Sequence, residues 1–324
     1  MKDNSKKIDC SIVASVYNEE ECLPLFYEAI TKVLLSLQIN YEIIFVNDGS
    51  VDCSLAILKE IAASDSSVRI VDFSRNFGQE AAMLAGIDHA RGEAVICMDS
   101  DLQHPPEKIP EMLQKKAEGF DVINMVRTDR EDESFFRNFI TKMFYKFLNS
   151  ISPINLAANT PCFLLVSSKA ANVLRKDFRE RTRYLRGIIQ LLGFRKTTVD
   201  FIAPTRVAGQ SKYSFVKLFK LSLAAISSFS KFPLQLGIIT GLTFGLLCIA
   251  LIIFSVVMLT LGKSLPCYTT LLIIMSAFAG IQLFVTGLIG QYIGFVFDEV
   301  KGRPVYIVND VFGFENNKNE NVCI

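Results

Sequence analysis

Apolar and polar positions follow two regimes along this chain. In the first half, short apolar runs rich in β-branched residues occupy residues 10–16, 41–46, 68–73, 94–98 and 121–125, with helical patterns between them. Spacings of about 25–30 residues from run to run suit strand–helix–strand units. Because the runs are almost wholly apolar rather than alternating, they predict parallel strands covered on both faces. The expectation is an α/β domain built on a mainly parallel sheet.

The second regime begins near Lys231. Charged residues recur every few positions before it, but between Phe232 and Phe297 the only one is Lys263. Residues 233–261 and 269–297 are each long enough to cross a hydrocarbon layer about 30 Å thick, for which about 20 residues suffice. Ahead of them, residues 213–232 mix apolar and basic positions at helical spacing and predict an interfacial helix. Residues 134–151 carry aromatic side chains at helical spacing with Lys and Arg between them, an amphipathic helix on the core or the membrane surface. Lys212, Lys217, Lys220 and Lys231 before the first span, and Lys301 and Arg303 after the second, predict cytoplasmic termini and an outer loop at 262–268. The expected organisation is a cytoplasmic domain over 1–210, a juxtamembrane amphipathic helix over 211–232, two transmembrane helices within 233–297 and a cytoplasmic tail over 298–324. That is a multi-pass protein of the inner (cytoplasmic) membrane.

Composition narrows the function classes. With 324 residues the chain can bury a full core, and 34 basic against 33 acidic side chains leave no basic excess to hold nucleic acid. The eight cysteines are scattered, with no CxxC pair and only two histidines in the chain, so neither zinc nor a disulfide framework is expected. Most of them read as small buried hydrophobes in a reducing compartment. The first residues, MKDNSKKID, lack an apolar core and predict no secretory signal.

In a parallel sheet, ligands bind at the carboxyl ends of the strands. The residues that follow the runs are Tyr17-Asn18-Glu19, Asn47-Asp48-Gly49-Ser50, Ser74-Arg75-Asn76-Phe77-Gly78 and Asp99-Ser100-Asp101, so polar and acidic groups converge on one rim. Asp99 and Asp101 project to the same side of an extended segment, and Gln103 can follow them. Hard oxygen donors in this arrangement suit Mg²⁺ or Mn²⁺ completed by substrate phosphates. Acid-x-acid triplets also arise by chance, as Glu19-x-Glu21 and Asp129-x-Glu131 do here, so a solvated loop is the competing reading. Position decides between them: the triplet follows an apolar strand, is braced by Pro105-Pro106 and shares its rim with Asp48. His104 reads as a solvated loop residue.

The ordered series Ser11-Ile-Val-Ala-Ser-Val-Tyr-Asn-Glu-Glu-Glu, Ile44-Phe-Val-Asn-Asp-Gly-Ser, Ser74-Arg-Asn-Phe-Gly, Met98-Asp-Ser-Asp-Leu-Gln-His-Pro-Pro-Glu and Ala208-Gly-Gln-Ser-Lys-Tyr resembles the family 2 glycosyltransferases. With two C-terminal spans and Lys301-Gly-Arg-Pro, the chain is similar more narrowly to bactoprenyl-phosphate glucosyltransferases and dolichyl-phosphate mannose synthases. The likeness runs from about Ile8 to Val308. It implies a GT-A nucleotide-sugar-binding domain followed by interfacial helices and a transmembrane hairpin. It also implies Mg²⁺ or Mn²⁺, a UDP-hexose donor, and a polyprenyl (undecaprenyl) phosphate acceptor in the membrane.

Carried over position by position, Ser15, Tyr17, Asn18, Glu19, Asp48, Asn76, Gly78 and Ser100 match nucleotide-binding positions. Asp99, Asp101 and Gln103 match metal and diphosphate positions. Arg127, Arg130 and Arg137 match basic positions near the phosphates, and Gln210-Ser211-Lys212 matches a mobile loop at the membrane. Asp99, Asp101, Arg127 and Lys212 are the implied catalytic set. The implied reaction is inverting transfer of one hexose, glucose, in a pathway with a flippase and a downstream membrane glycosyltransferase, and the chain could assemble as a homo-oligomer.

The chain departs from the family at Pro161-Cys162-Phe163-Leu164-Leu165, where relatives read Gly-Asp-Phe-Arg-Leu, at Gln210 in place of an acid, and at Phe295 in place of Arg. A lipid phosphate is already anionic and needs little activation, so these changes predict altered specificity before lost activity. The competing readings are a silent membrane scaffold, transfer of another sugar (mannose, N-acetylhexosamine or aminoarabinose type), and a processive synthase. The last needs a Gln-x-x-Arg-Trp motif, which a chain without Trp cannot hold.

Overall fold

The computed structural model describes residues 7–128, 161–179, 185–204, 232–261 and 267–314. The first half alternates as predicted: β1 (Cys10–Val16), α1 (Leu23–Ser36), β2 (Tyr41–Asn47), α2 (Ser54–Ser64), β3 (Val68–Phe73), α3 (Gln79–His89), β4 (Ala94–Asp99), α4 (Ile109–Ala117) and β5 (Val122–Arg127). After these come β6 (Leu164–Ser167), α5 (Ser168–Asp177), α6 (Leu185–Leu191) and β7 (Lys196–Phe201). The chain then forms the long helices α7 (Phe232–Thr260) and α8 (Cys267–Val300), and β8 (Val308–Phe312). The predicted helices at 134–151 and 213–231 lie outside the described residues.

One sheet runs in the order β7-β5-β6-β4-β1-β2-β3-β8. Its centre, β3-β2-β1-β4, is parallel throughout. The antiparallel β6 sits between β4 and β5, and β7 pairs parallel with β5. At the other edge, β8 pairs antiparallel with β3, so the segment read as a tail contains the sheet's outermost strand.

Packing explains why the rim is where it is. Helix α1 buries Leu23, Phe26, Ile30 and Leu34 on one stripe against the sheet. Helix α3 is buried from Ala81 to Ile87, and a Cβ at Gly86 would come within 2.0 Å of Val13 Cγ1. Only glycine lets α3 approach β1 this closely. The approach brings the first residue of α3, Gln79, alongside the end of β4.

The described residues fall into two compact units, the sheet with its helices including 304–314, and the two apolar helices up to Arg303. In the second unit, Gly237–Met258 and Ala277–Val300 have mean hydropathies of 2.6 and 1.5 and are long enough to cross a membrane. The two helices pack together, with Phe244 against Phe278 at 6.3 Å between ring centres.

Candidate active site at the carboxyl rim of the sheet

Three loops at the carboxyl ends of β1, β2 and β3 are tied to one another by side chain to backbone hydrogen bonds. Asn18 takes a left-handed conformation with φ 54°, which Asn tolerates better than most residues. Its N–H donates to Ser50 Oγ at 3.0 Å and its Oδ1 accepts from Val51 N at 2.9 Å. The Glu19 N–H donates to Ser54 Oγ at 3.0 Å. Tyr17, beside this loop, is 39% exposed.

Asp48 is buried, and its carboxylate faces inward. Oδ1 accepts from Phe77 N at 2.6 Å, Oδ2 accepts from Gly78 N at 2.9 Å, and the backbone carbonyl accepts from Asn76 Nδ2 at 3.2 Å. The carboxylate therefore sits over the start of α3, where a negative charge is favoured. Gly49 makes the crossing feasible: its φ is +66°, and a Cβ there would come within 2.5 Å of the Arg75 carbonyl carbon.

The fourth loop carries the acidic pair. Ser15 is in register with Asp99, and the buried Ser100 donates its hydroxyl to the Ser15 carbonyl at 2.9 Å. Asp101 Oδ1 accepts from Gln103 N at 3.1 Å, closing a tight turn around Leu102, whose φ is 60°. Gln79 donates its side-chain amide to Asp99 Oδ1. Burial raises the Asp99 carboxyl above the ordinary carboxylate range, Asp101 adds to the rise, and His104, Gln79 and Arg186 oppose it. A cation bound here would relieve the same strain.

His104 is not a solvated loop residue. It is buried, stacks on Phe163 at 4.9 Å and meets Phe201 edge-on at 6.1 Å. Its Nδ1 accepts the Asp99 N–H at 2.9 Å. Scarcity of histidine said nothing about burial, and the aromatic wall that covers this ring comes from β7 and the segment before β6, which are distant in sequence.

Arg127 ends β5 in register with Phe201, and its charge reaches His104. Arg130, Arg137, Gln210, Ser211 and Lys212 lie outside the described residues. Sequence reasoning passed over Gln79 and Arg186. Arg186, on α6, acts electrostatically on both Asp99 and Cys162, and Glu80 anchors that helix by accepting from Leu185 N at 2.6 Å. The basic run Arg179-Glu-Arg-Thr-Arg-Tyr-Leu-Arg186 was the available signal. Cys162 is buried in the same place, and burial, with Glu80 beside it, pushes its thiol well above the ordinary range. It cannot serve as a base at neutral pH.

Residues 11–175 match the family described as Glycosyl transferase family 2, about half the chain. An uncharacterized glycosyltransferase of Bacillus subtilis, YkcC, is 38% identical over 317 residues, 97% of each chain. A prophage-derived bactoprenol glucosyl transferase of Shigella flexneri is 36% identical over 299 residues, 92% of this chain and 96% of that one. Among solved structures, the chain is similar to glucosyl-3-phosphoglycerate synthase from Mycobacterium tuberculosis in complex with Mn²⁺, UDP and phosphoglyceric acid. That likeness has 17% identity and a TM-score of 0.49, over 68% of this chain and 76% of that one, too distant to bear on the chemistry here. A parallel four-strand centre, an acidic rim after β4, a matching family over the sheet and relatives that align end to end place this chain in glycosyltransferase family 2, with a GT-A domain as its sheet unit.

Proposed function

We propose that this glycosyltransferase moves one hexose, glucose, from UDP-glucose to polyprenyl (undecaprenyl) phosphate at the cytoplasmic face of the membrane, with inversion at the sugar carbon. The observation that carries the reading is the end-to-end relationship to a bactoprenol glucosyl transferase over 92% of the chain, a length that includes both the acidic rim and the two apolar helices. A lipid acceptor accounts for a hairpin that a soluble acceptor would not require.

Mg²⁺ or Mn²⁺ fits the residues present. Among the described residues no group of three or more His, Cys, Asp or Glu side chains forms a cage. A site with one or two carboxylates completed by substrate phosphates needs no cage, and Asp99 and Asp101, with Gln103 next in line, are hard oxygen donors of that kind. When bound, such an ion stabilises the charge that develops on the departing diphosphate.

The chain's own groups do the rest. Tyr17, with Asn18 and Glu19, offers a surface for the base, and Asp48 fixes the loop 74–78 over the start of α3. Arg127 supplies positive charge on the acidic rim, where the diphosphate would lie, and Arg186 reaches Asp99 from α6. Arg130, Arg137 and the Gln210-Ser211-Lys212 loop are assigned to the acceptor phosphate. The acceptor is anionic at neutral pH, so the buried thiol at Cys162 does not need to be replaced by a base. Lys212, Lys217, Lys220, Lys231, Lys301 and Arg303 support cytoplasmic termini. A flippase and a downstream membrane glycosyltransferase would consume the product, and a homo-oligomer remains part of the proposal.

Membranes containing the protein, supplied with Mg²⁺ or Mn²⁺ and radiolabelled UDP-glucose, should yield label in a butanol-extractable lipid. A panel of other nucleotide sugars tests donor choice. If no donor labels lipid, the reading fails. Cys162 favours one alternative, a silent scaffold, because it puts an inert thiol where the family resemblance implies a carboxylate. Calorimetry separates the two: a scaffold binds no UDP in the presence of Mg²⁺.

A further inference from the structure

His104 contacts Asp99 at two points. Its Nδ1 accepts the Asp99 backbone N–H at 2.9 Å. A ring that accepts at Nδ1 carries its proton on Nε2 when neutral. Nε2 faces Asp99 Oδ2 at 3.8 Å, too long for a hydrogen bond but close enough to orient a carboxylate. The ring is held on its other side by Phe163, stacked within 11° of parallel, and by Phe201 edge-on; those two rings also pack against each other at 5.5 Å. The other carboxylate oxygen, Oδ1, receives the Gln79 amide from the start of α3. Asp99 is therefore held by hydrogen bonds at its backbone N–H and at Oδ1, with the buried His104 ring beside Oδ2, while a quarter of its own side chain (25%) stays exposed.

We propose that His104 is a positioning residue, which with Gln79 fixes the direction of the Asp99 carboxylate and so sets how tightly the rim holds a divalent cation with a nucleoside diphosphate. The inference rests on the reading of Asp99 as a ligand of that cation. The physical basis is that ligands are aimed by the groups hydrogen-bonded behind them, and losing such a group costs about 10–100-fold in metal affinity or activity. The Asp99 N–H is the strong contact. Phenylalanine at 104 keeps the stack on Phe163 but offers the amide no acceptor. Asparagine loses the stack but places Oδ1 where Nδ1 was. Glutamine reaches toward Oδ2 and abandons the amide.

The test is calorimetric titration of Mn²⁺ and UDP into the detergent-purified full chain, with urea unfolding of each variant alongside. For His104→Phe, the apparent Mn²⁺ affinity in the presence of UDP should fall about 10–100-fold. Its transfer rate should keep climbing at Mn²⁺ concentrations that already saturate the wild type. His104→Asn should recover most of the loss, and His104→Gln should not. Wild-type affinity in His104→Phe, or no difference between Asn and Phe, overturns the proposal. If His104→Phe shows no cooperative unfolding, the Asn and Gln variants decide: equal affinities overturn it. Asp99→Asn should abolish the Mn²⁺-dependent binding. If instead it binds as the wild type does, the metal reading itself is what falls.

Discussion

Glu42 lies at the amino end of the sheet, the end opposite the chemistry, and its carboxylate is bound on several sides. It is 1% exposed, pairs with Arg69 Nη1 at 2.7 Å, and accepts from Ser11 Oγ at 2.5 Å and from Arg91 N at 2.7 Å. Ser11, Glu42 and Arg69 sit near the starts of β1, β2 and β3, and Arg91 precedes β4, so one side chain ties the four central strands together. Glu42→Gln keeps the volume and an acceptor for Ser11 or Arg91, but it leaves the guanidinium of Arg69, 7% exposed, without its counter-charge. Breaking a buried pair from one side costs about 3–5 kcal/mol. The retained hydrogen bond puts the expectation at the lower end, about 3 kcal/mol, out of a total of about 5–15 kcal/mol for a domain. Urea unfolding followed by far-ultraviolet circular dichroism would read this as a lower midpoint at unchanged slope. Arg69→Met in the Glu42→Gln background should restore part of the loss, because neither charge is then left buried alone. Donor and acceptor KM should be those of the wild type for the folded fraction. A loss under about 1 kcal/mol, or strict additivity in the double variant, would refute the reasoning.

At the other end of the sheet, Asp99→Asn and Asp101→Asn should each abolish lipid labelling while leaving the unfolding midpoint near that of the wild type; wild-type rates in both would remove the acidic pair from the site. Asp48→Asn replaces one of two acceptors facing Phe77 N and Gly78 N with a donor, costing about 2 kcal/mol of loop stability and raising donor KM, measured by initial rates across UDP-glucose concentrations. Tyr306→Phe removes a 2.6 Å hydrogen bond to Asp88 next to the stack on Phe73, and should lower stability by about 1–2 kcal/mol in the same urea assay. Acid stability should respond at Asp65: burial would raise its carboxyl, but hydrogen bonds from Ser67 and Tyr27 outweigh that and hold it below the ordinary 3.8. A depressed folded-state value means this contribution is complete above that ordinary value and is lost as pH falls through the lower one. Tyr27→Phe should therefore narrow the gap in urea midpoint between pH 5 and pH 3.

How much of this was legible in the sequence follows from what each element is buried against. Strands β1 to β4 are covered on both faces, so their apolar runs stand out, and the predicted limits differ from those observed by at most a residue. The two long apolar helices were legible because their apolar runs are unbroken over a greater length. Strands at or near the edges carry no such run. Lys196–Phe201 reads KTTVDF, with polar residues on its open face, and Val308–Phe312 reads VNDVF within a polar stretch. Their pairing is decided by tertiary contacts that no local pattern encodes. The four-residue β6 is apolar enough but too short to signal a strand, and without it the position of β5 in the sheet could not be foreseen.

The candidate site divides along the same line. Asp48, Asp99 and Asp101 were visible because each stands at or just beyond the end of an apolar strand, where chain position alone implies a place on the rim. The groups that aim them were not. Gln79 reaches Asp99 because Gly86 lets α3 sit against Val13, and His104 is enclosed by Phe163 and Phe201, which arrive from far along the chain. Cys162 belongs with this second group. Leu164 pairs with Cys97 in antiparallel register, so two residues outward the same register sets Cys162 across from Asp99. The substitution that looked like a departure in a remote motif is thus a change in the wall of the acidic site itself. An uncharged, buried neighbour there leaves Asp101 as the carboxylate that raises Asp99, whereas an aspartate at 162 would add a second. Restoring it by Cys162→Asp should strengthen Mn²⁺ binding by calorimetry. Weaker binding would mean that the pocket has repacked around the thiol and no longer admits a second charge.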